Sequence, residues 1–566
     1  MKRPVVWLIV GVVVAALAVL AGLAWRYRVD VLLWHGEERD LREAHPEVPV
    51  PEGAPTVLLL ALDGVPRAVL YDALRGGRMP ELATLLGGAD LRHAHLEETM
   101  LSTLPSSTLA AWATIFTGEP PAQHGVVGNE YFARETRTFA APAPVSLTTI
   151  EPVLLTYADS YADDLLAVPT IYERFRQVEP RFTAWVSGSQ FHRGADRLLL
   201  AERSTVVTAV TAFAAPGDDD AQSMEAYAAL DRECVETVIE ALAEGTAPRL
   251  LTLYLTGPDH FAHGSVTGPE EALARYLVEI IDPLMRRVRE GLAQHGALED
   301  RAVVVISDHG HTEVMHDEAH ALTTAEEDNP PSVVRGAGFR LRPFELEVDE
   351  GHDFDAVIAY GGAMAYVYVA DRSTCATAGT ACDWARPARW SEDVVPMAEA
   401  FFRASAEGLN APSMRGSLDL VLARTPERGF EVYLGGGRTE PLAQHLAAHP
   451  RASYVAFEPR LQQLTDGPES AHVGDVILLA HNGDEPVLER RHYFAALYRS
   501  WHGSPSRGDS EVPFIVAIPS LGSAAIAERV RGPLGEDARL DDVASVLADL
   551  LAIPLPPSPS SDLRED

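Results

Sequence analysis

The segment TVLLLAL, at residues 56–62, is a short and unbroken run of apolar residues that ends at Asp63. Two further runs of the same kind follow, LLTLYL at residues 250–255 and AVVVI at residues 302–306. Runs like these are typical of central strands that are covered on both faces. Helical patterns lie around and between them, at residues 80–86, 109–116, 224–244 and 269–295. This alternation predicts an α/β fold with a mixed, largely parallel sheet flanked by helices.

The pattern loosens after Asn329-Pro330-Pro331, and strand-like pieces at residues 364–369 and 430–434 follow one another without the earlier alternation. We expect the core sheet to resume near residues 474–479 and 514–518. We therefore divide the chain into a signal anchor or transmembrane helix (1–30), a linker (31–54), a first part of the α/β core (55–330), an inserted subdomain (331–470), a second part of the core (471–555) and a disordered tail (556–566).

The N-terminal region holds 22 consecutive uncharged residues, at positions 4–25. As a helix they would span about 33 Å, enough to cross a hydrocarbon core of about 30 Å. Secretory signal peptides have shorter apolar regions. We expect an uncleaved, single-pass anchor in the cell membrane, with cleavage near Ala21 or Ala24 as the alternative. The rest of the chain would then lie outside the cytoplasm, in the periplasm or the extracellular space.

The composition excludes several classes of function. Acidic residues number 82 and basic residues 46, which gives a net charge of −36. A chain this acidic repels phosphate backbones, so we expect no nucleic-acid binding. Lys2 is the only lysine. P-loop, protein-kinase and Schiff-base chemistry each need a lysine inside the fold, and are excluded.

Two of the three cysteines, Cys375 and Cys382, lie close together in the small-residue segment CATAGTAC. In an oxidising compartment such a pair favours a disulfide. Cys234 lies in a helical pattern, which is typical of a small buried residue.

Aspartates and histidines gather at strand ends and beside glycines. Taken singly, such an aspartate is more often a helix cap or a turn residue. Together they form a set of ligands that suits divalent ions such as zinc. The candidate metal ligands are Asp63, Asp259, His263, Asp308, His309 and His502.

The segment LPSSTLAAWATIFTG, at residues 104–118, places hydroxyl groups at the start of a helix. Backbone N–H groups and the helix dipole favour an anion there. An ordinary Ser/Thr N-cap is the alternative interpretation. A metal ion can instead activate one of the hydroxyl groups as a nucleophile.

These motifs resemble the alkaline phosphatase superfamily, and in particular its type I phosphodiesterase/nucleotide pyrophosphatase branch. Thr108 stands nine residues before Thr117-Gly118, and His124-Gly125 is followed by Asn129, as in that family. The similarity covers roughly residues 55–315 and 470–520. Gly257 stands where the family usually has Glu, so the resemblance does not carry over nucleotide specificity.

The resemblance implies two Zn²⁺ ions, or other divalent ions, and a role for each matching residue. One ion would be held by Asp63, Asp308, His309 and Thr108, and the other by Asp259, His263 and His502. Thr108 would be the nucleophile, Asn129 would donate to a phosphoryl oxygen, and Tyr254 would line the substrate pocket. His311, two residues after His309, is a candidate for supporting these ligands from outside the metal shell.

The function expected from this resemblance is a hydrolase that cleaves phosphodiester bonds of small phosphate esters through a phospho-threonine intermediate. With the N-terminal anchor, we expect this hydrolase to be membrane-anchored and extracytoplasmic. The absence of a C/S-x-P-x-R motif argues against a sulfatase of the formylglycine type. A phosphomonoesterase, a phosphonate hydrolase or a phospho-alcohol transferase on the same scaffold remains an alternative. A non-catalytic envelope protein is a further alternative, although it would have no physical reason to keep the complete ligand set.

Overall fold

A computed structural model describes residues 51, 53–146, 156, 160–214, 219–344, 353–376, 380–535 and 537–555, and the backbone of a two-residue strand at Arg39–Asp40. Within these ranges no helix combines the length and the apolar composition needed to cross a bilayer. The predicted anchor at residues 4–25, most of the predicted linker and the predicted tail lie outside them.

The core is an eight-stranded mixed sheet whose central strands are parallel. In spatial order its strands are Arg39–Asp40, Arg197–Leu199, Ala184–Ser187, Leu250–Leu255, Val57–Leu62, Ala302–Ser307, Phe514–Ala517 and Ala94–Glu97. The five strands from Arg197–Leu199 to Ala302–Ser307 run parallel to one another, and the strands outside them join antiparallel. The α/β class and the three central strands predicted from the sequence are confirmed.

The central strands are apolar at nearly every position because both faces of the sheet are covered. Along Val57–Leu62, every residue is fully buried. Val57, Leu59 and Ala61 belong to one hydrophobic cluster, and the residues between them belong to another on the opposite face. Alternating residues of a strand point to opposite faces, so a strand covered on both sides needs apolar residues at every position.

Helices cover both faces of this sheet, and the four predicted helical regions are all helical. The α-helices of the core are Arg67–Arg75, Pro80–Leu85, Thr108–Thr117, Pro121–His124, Tyr161–Asp164, Ile171–Val178, Arg203–Ala214, Asp220–Glu244, Gly257–Gly264, Pro269–Tyr276, Asp282–Gln294, Arg507–Ser510, Ser523–Leu534 and Val543–Leu551. A π-helical turn, Leu277–Ile281, connects the helices on either side of it. Two short antiparallel pairs lie outside the main sheets, and they join Tyr131–Ala133 to Thr138–Ala140 and Thr312–Glu313 to Ser500–Trp501.

A second, six-stranded sheet is antiparallel throughout. Its strands in spatial order are Ala356–Gly361, Met364–Val369, Val476–Ala480, Leu418–Thr425, Gly429–Tyr433 and Thr439–Glu440. The α-helices of this part are Pro330–Gly336, Val395–Glu407, Leu442–Ala448 and Phe457–Thr465. Shorter helical turns are Arg372–Cys375, Trp390–Val394, Pro412–Met414, Ser470–Val473, Leu488–Arg490 and, in the core, Leu540–Asp542.

One strand belongs to a different sheet from the one that the sequence suggested. We expected the segment at residues 474–479 to return the chain to the core sheet, and this was wrong. Val476–Ala480 pairs with Met364–Val369 on one side and with Leu418–Thr425 on the other, both in the second sheet. The chain returns to the core sheet only at Phe514–Ala517. The other domain boundaries stay a prediction.

The two sheets share a hydrophobic core. One face of the second sheet, including Tyr366 and Leu479, packs in the same cluster as the core strands and the helix Thr108–Thr117. The turn between its first two strands also contacts the chain near His502, because the backbone N–H of Ala363 donates to the His502 carbonyl at 2.8 Å. Cys375 and Cys382 are joined in a disulfide in this part of the molecule, and Cys234 is a free, buried thiol.

Candidate metal centre and active site

The register of the three central strands brings the distant candidate residues together. Leu62 lies beside Leu255 on one neighbouring strand and beside Ser307 on the other. Asp63 and Asp308 therefore leave the sheet side by side, and the helix Gly257–Gly264 starts at the same edge. Ligand sites in parallel sheets lie beyond the carboxyl ends of the strands, as here.

Asp63, Asp308 and His309 form a fully buried group whose ligand atoms all lie within 4.8 Å of one another. His309 Nε2 is 3.2 Å from Asp308 Oδ2 and 3.6 Å from Asp63 Oδ1. The Gly64 N–H donates to Asp308 Oδ1 at 3.0 Å and holds that carboxylate in place. Thr108 Oγ1 lies 3.1 Å from His309 Nε2. The structure thus brings together all four residues expected around the first ion.

Asp259 is the centre of two further groups with the same spacing. One contains His263 and His311, and the other contains His309 and His502. His263 follows Asp259 by four residues on one helix, which places both on one face, with Nε2 3.4 Å from Asp259 Oδ1. The rings of His309 and His502 stack at a centroid distance of 3.6 Å. His311, which was expected only in a supporting role, lies as close to Asp259 as His263 does.

Backbone carbonyls orient the three predicted histidine ligands in the same way. The Nδ1 atoms of His263, His309 and His502 lie 2.6, 3.0 and 2.9 Å from the carbonyl oxygens of Ser500, Gly310 and Ser106, respectively. A carbonyl only accepts, so each Nδ1 carries the hydrogen. In the neutral ring the Nε2 atom then holds a lone pair. Each lone pair is thereby presented toward the buried carboxylates, as in metal-binding histidines.

The carboxylates of this site lack the partners that buried charges need. Asp63 Oδ1, Asp259 Oδ1 and Asp308 Oδ2 are buried and make no hydrogen bond within the described part of the chain. Burial raises the pKa of Asp308 to about 7. Burial, together with the nearby charges of Asp308 and Asp259, raises the pKa of Asp63 well above its usual value. Histidine Nε2 lone pairs therefore face carboxylate oxygens that have no hydrogen-bond partner. Divalent cations bound between these atoms would fit this arrangement.

Burial holds His309 and His502 in the neutral form, which is the form of histidine that binds metals. Burial lowers the pKa of His309 to about 3, and burial together with the neighbouring His309 and His263 lowers the pKa of His502 well below its usual value. Burial alone would raise the pKa of Asp259, but His263 and His311 beside it lower that pKa well below the usual range. Neutral imidazole and ionised carboxylate are the states that ligate a metal.

Thr108 is the first residue of a helix that is buried on all sides. Its remaining residues, from Leu109 to Thr117, are buried, which explains the apolar sequence LAAWATIF. The Leu109 N–H donates to Asn129 Oδ1 at 2.9 Å. This bond occupies the amide oxygen of Asn129, so its NH₂ group is the donor left for another partner. Thr108, Leu109 and Asn129 all line the cleft in front of the acidic groups.

Tyr254 is not among the residues that line this cleft, in contrast to the prediction that it lines the substrate pocket. It is buried behind the site, and its hydroxyl donates a hydrogen bond to Asp63 Oδ2. The same hydroxyl accepts from Gln190 Nε2 at 3.0 Å. Tyr254 therefore positions Asp63, a metal-ligand candidate. Because the amide nitrogen of Gln190 is bonded to Tyr254, the amide oxygen Oε1 points away from Tyr254, and we call this chain of hydrogen bonds from Gln190 through Tyr254 to Asp63 the relay.

Much of the cleft lining forms an apolar wall. Besides the residues already placed, its lining consists of Pro142, Ala143, Pro144, Val145, Thr156, Gln190, Val210, Phe213, His260 and Trp501. Among the described lining residues there is no arginine, and the single lysine of the chain is Lys2. The cleft therefore offers no fixed side-chain cation of its own to a second anionic group.

A fourth acidic group, Asp419, His481 and Asp484, lies in the second-sheet region. Here the charges are already matched. Arg451 donates to Asp419 Oδ1 at 2.6 and 2.9 Å, Tyr454 donates to Asp419 Oδ2 at 2.7 Å, and His481 Nδ1 lies 2.7 Å from Asp484 Oδ2. We interpret this group as an ion-pair network.

Comparison with known proteins agrees with the motifs of this site. The sequence model of the family described as type I phosphodiesterase/nucleotide pyrophosphatase matches residues 57–378, more than half of the chain. The match contains all the candidate site residues except His502, which follows it.

Two solved structures of murine ectonucleotide pyrophosphatase/phosphodiesterase 5 are similar to this chain at 13% identity and a TM-score of 0.49. The first match covers 90% of this chain and 98% of the murine one. The second, an inactive variant in complex with AMP, gives 89% and 96%. From the family match, the chain belongs to the type I phosphodiesterase/nucleotide pyrophosphatase family of the alkaline phosphatase superfamily, and it is a phosphoric ester hydrolase.

Proposed function

We propose that this chain is a two-metal phosphodiesterase that uses Thr108 as its nucleophile. The observation that carries the proposal is the position of the Thr108 hydroxyl. It lies at the start of a buried helix, 3.1 Å from His309 Nε2 and beside the Asp63–Asp308–His309 group. A nucleophile next to a cation site and a helix N-terminus is the arrangement that phosphoryl transfer requires.

Asp63, Asp308, His309 and Thr108 would hold one ion, and Asp259, His263 and His502 would hold the other. The mixed nitrogen and oxygen donors favour zinc. When bound, the two ions would supply the positive charge that stabilises the attacking and leaving oxygens of the displacement.

The side chains of this site account for the two halves of the reaction. The Thr108 hydroxyl oxygen attacks phosphorus and loses its proton. The bond from phosphorus to the first alcohol breaks, and that alcohol takes up a proton as it leaves. The phosphoryl group, still esterified to the second alcohol, is then bonded to Thr108. Water cleaves that bond, which releases a phosphomonoester and restores the hydroxyl. The Asn129 NH₂ group donates to a phosphoryl oxygen throughout, since its own oxygen is occupied by the Leu109 N–H.

The neutral donor at Asn129 favours diesters over monoesters. A monoester brings two negative charges to the site and a diester brings one. The described cleft lining contains no arginine or lysine to meet the additional charge. A monoesterase, a phosphonate hydrolase or a phospho-alcohol transferase would use the same Thr108 intermediate, and each is an outcome of the assay below.

The apolar wall of the cleft indicates what kind of alcohol group the substrate carries on its phosphorus. Phe213, Trp501 and Val210 offer apolar contact area, and Gln190 Oε1 is buried without a hydrogen-bond partner in the described structure. A neutral, largely apolar alcohol that carries one hydrogen-bond donor fits this lining. A group that carries further phosphates does not.

A substrate panel tests this proposal. With zinc added, we expect kcat/KM for bis-p-nitrophenyl phosphate to exceed that for p-nitrophenyl phosphate by at least about 10-fold, which is about 1.4 kcal/mol of transition-state discrimination. Alkyl diesters should be better substrates than nucleoside polyphosphates. A preference for the monoester, for a phosphonate or for a sulfate ester would replace the diesterase assignment. Absence of turnover with every ester and metal would favour the non-catalytic alternative.

We further propose that the enzyme is anchored in the membrane with its catalytic region outside the cytoplasm. Support comes from the 22 uncharged residues at positions 4–25 and from the Cys375–Cys382 pair. We expect the full chain to stay with the membrane fraction after a high-salt wash and to be digested by protease added outside the cytoplasmic membrane. A variant that lacks residues 1–30 should be in the soluble fraction. Full-length chain in the cytosolic fraction would contradict the proposal.

A further inference from the structure

His311 is a fourth buried histidine at the metal centre, and neither the family motif nor the proposed ligand sets contain it. Its side chain is fully buried, and its Nε2 atom lies 3.1 Å from Asp259 Oδ1. The corresponding distance for His263 is 3.4 Å. The ligand atoms of Asp259, His263 and His311 all lie within 4.8 Å of one another.

The hydrogen bonds around Ser500 determine which nitrogen of His311 carries the proton. The Ser500 hydroxyl donates its single hydrogen to the Ala262 carbonyl at 2.9 Å. It therefore accepts from His311 Nδ1, which lies 3.1 Å away. In the neutral ring, Nε2 is then a lone pair, and this atom is buried with no hydrogen-bond partner in the described structure. A lone pair facing a carboxylate oxygen is repulsive unless a proton or a metal cation lies between them.

The backbone around His311 keeps it at this place. Residues 312–313 pair antiparallel with residues 500–501, so His311 is held beside the strand that leads into His502. Gly64, at a φ of +66°, leaves the space in which the two atoms meet. A Cβ there would lie 2.7 Å from His311 Nε2 and 2.8 Å from Asp259 Oδ1. Gly64 therefore allows His311 and Asp259 to approach each other.

We propose that His311 binds, through Nε2, the metal ion held by Asp259 and His263, as a protein ligand additional to those of the family motif. The sequence Asp308-His309-Gly310-His311 would then supply ligands to both ions from one short segment. This inference rests on the two-metal function proposed above.

The test separates a ligand from a positioning residue by metal affinity. His311→Asn keeps an amide donor where Nδ1 reaches Ser500, and removes the atom at Nε2. His320→Asn is the matched control, because His320 lies outside the metal groups and contacts Asp317. Zinc content is measured after dialysis at fixed free zinc, and affinity by competition with a chromophoric chelator. Circular dichroism checks the fold of each variant.

We expect two zinc ions per chain in the wild type and in His320→Asn. In His311→Asn we expect one ion to be unchanged and the other to be weakened by more than about 100-fold, since losing an outer-shell hydrogen bond costs about 10–100-fold. An effect within or below that range would overturn the inference. A wild-type chain that binds no ion would instead overturn the proposed function.

A measurement on the wild type keeps the inference testable if His311→Asn does not fold. Anomalous diffraction at the zinc edge locates both ions in crystals of the full chain. A zinc ion about 2.0–2.1 Å from His311 Nε2 supports the inference. Two zinc ions in the site, both more than about 3 Å from that atom, would overturn it.

Discussion

A Thr108→Ala variant should keep both metal ions and lose about 10⁴-fold or more in kcat against a phosphodiester. Removal of a covalent nucleophile costs this much in other hydrolases, where the remaining groups still bind and polarise the substrate. Thr108 Oγ1 is 3.1 Å from His309 Nε2, but without it Asp63, Asp308 and His309 still offer three closely spaced ligand atoms to that ion. Metal content by elemental analysis and kcat by steady-state assay check both halves of the expectation.

Ser107→Ala is the matched control for this variant. The Ser107 hydroxyl is buried one residue away and makes no hydrogen bond in the described structure, so its loss should leave kcat within about twofold. Rapid acid quenching followed by mass spectrometry should find the substrate-derived phosphoryl group on the peptide with Thr108 in the wild type. Full activity of Thr108→Ala, or inactivation by Ser107→Ala alone, would show that another group is the nucleophile.

Stripping the metals should abolish activity and lower the midpoint of thermal unfolding by about 5–10 °C. Two ions, each present at about 1,000 times its Kd, contribute about 8 kcal/mol in total. A chain of this size has an unfolding entropy of about 1 kcal/mol per kelvin. The loss is expected because Asp63, Asp259 and Asp308 present buried carboxylate oxygens with no hydrogen-bond partner in the described structure. Dialysis against a chelator, elemental analysis and calorimetry measure these effects.

Addition of zinc to the stripped protein should restore both activity and the unfolding midpoint. Asp308→Asn should not recover, because its amide is a poor substitute for a carboxylate ligand. Asp419→Asn should behave like the wild type in metal content, since Arg451 and Tyr454 already satisfy Asp419. An enzyme that stays active with less than about one tenth of an ion per chain would be inconsistent with a metal-dependent mechanism.

The core fold could be predicted from the sequence because its central strands are almost entirely apolar. Nearly every position is apolar in the three strands Val57–Leu62, Leu250–Leu255 and Ala302–Ser307. Such a composition is typical of a parallel sheet whose two faces are both covered by helices. Once these strands are placed side by side, their polar residues at the carboxyl ends must meet. The sequence alone therefore places Asp63 and Asp308 at one site.

The rest depends on partners that a sequence does not display. Val476–Ala480 has the same composition as a core strand, and only its pairing with Met364–Val369 and Leu418–Thr425 decides its sheet. The relay from Gln190 through Tyr254 to Asp63 joins three distant segments. His311 was visible in the motif Asp308-His309-Gly310-His311, but its closeness to Asp259 depends on the direction of one side chain and on the missing Cβ of Gly64.

The hydrogen bond from the Ala363 N–H to the His502 carbonyl links the second sheet to the candidate metal centre at the edge of the core sheet. Gly362 lies against the same carbonyl, at a φ of +72° and with no room for a side chain. The turn between Ala356–Gly361 and Met364–Val369 therefore acts as a brace for a metal-ligand candidate some 140 residues later in the chain. Replacing the second sheet with an unrelated structure would remove this support for His502. Sequence changes in the second sheet and in the core are therefore constrained by each other.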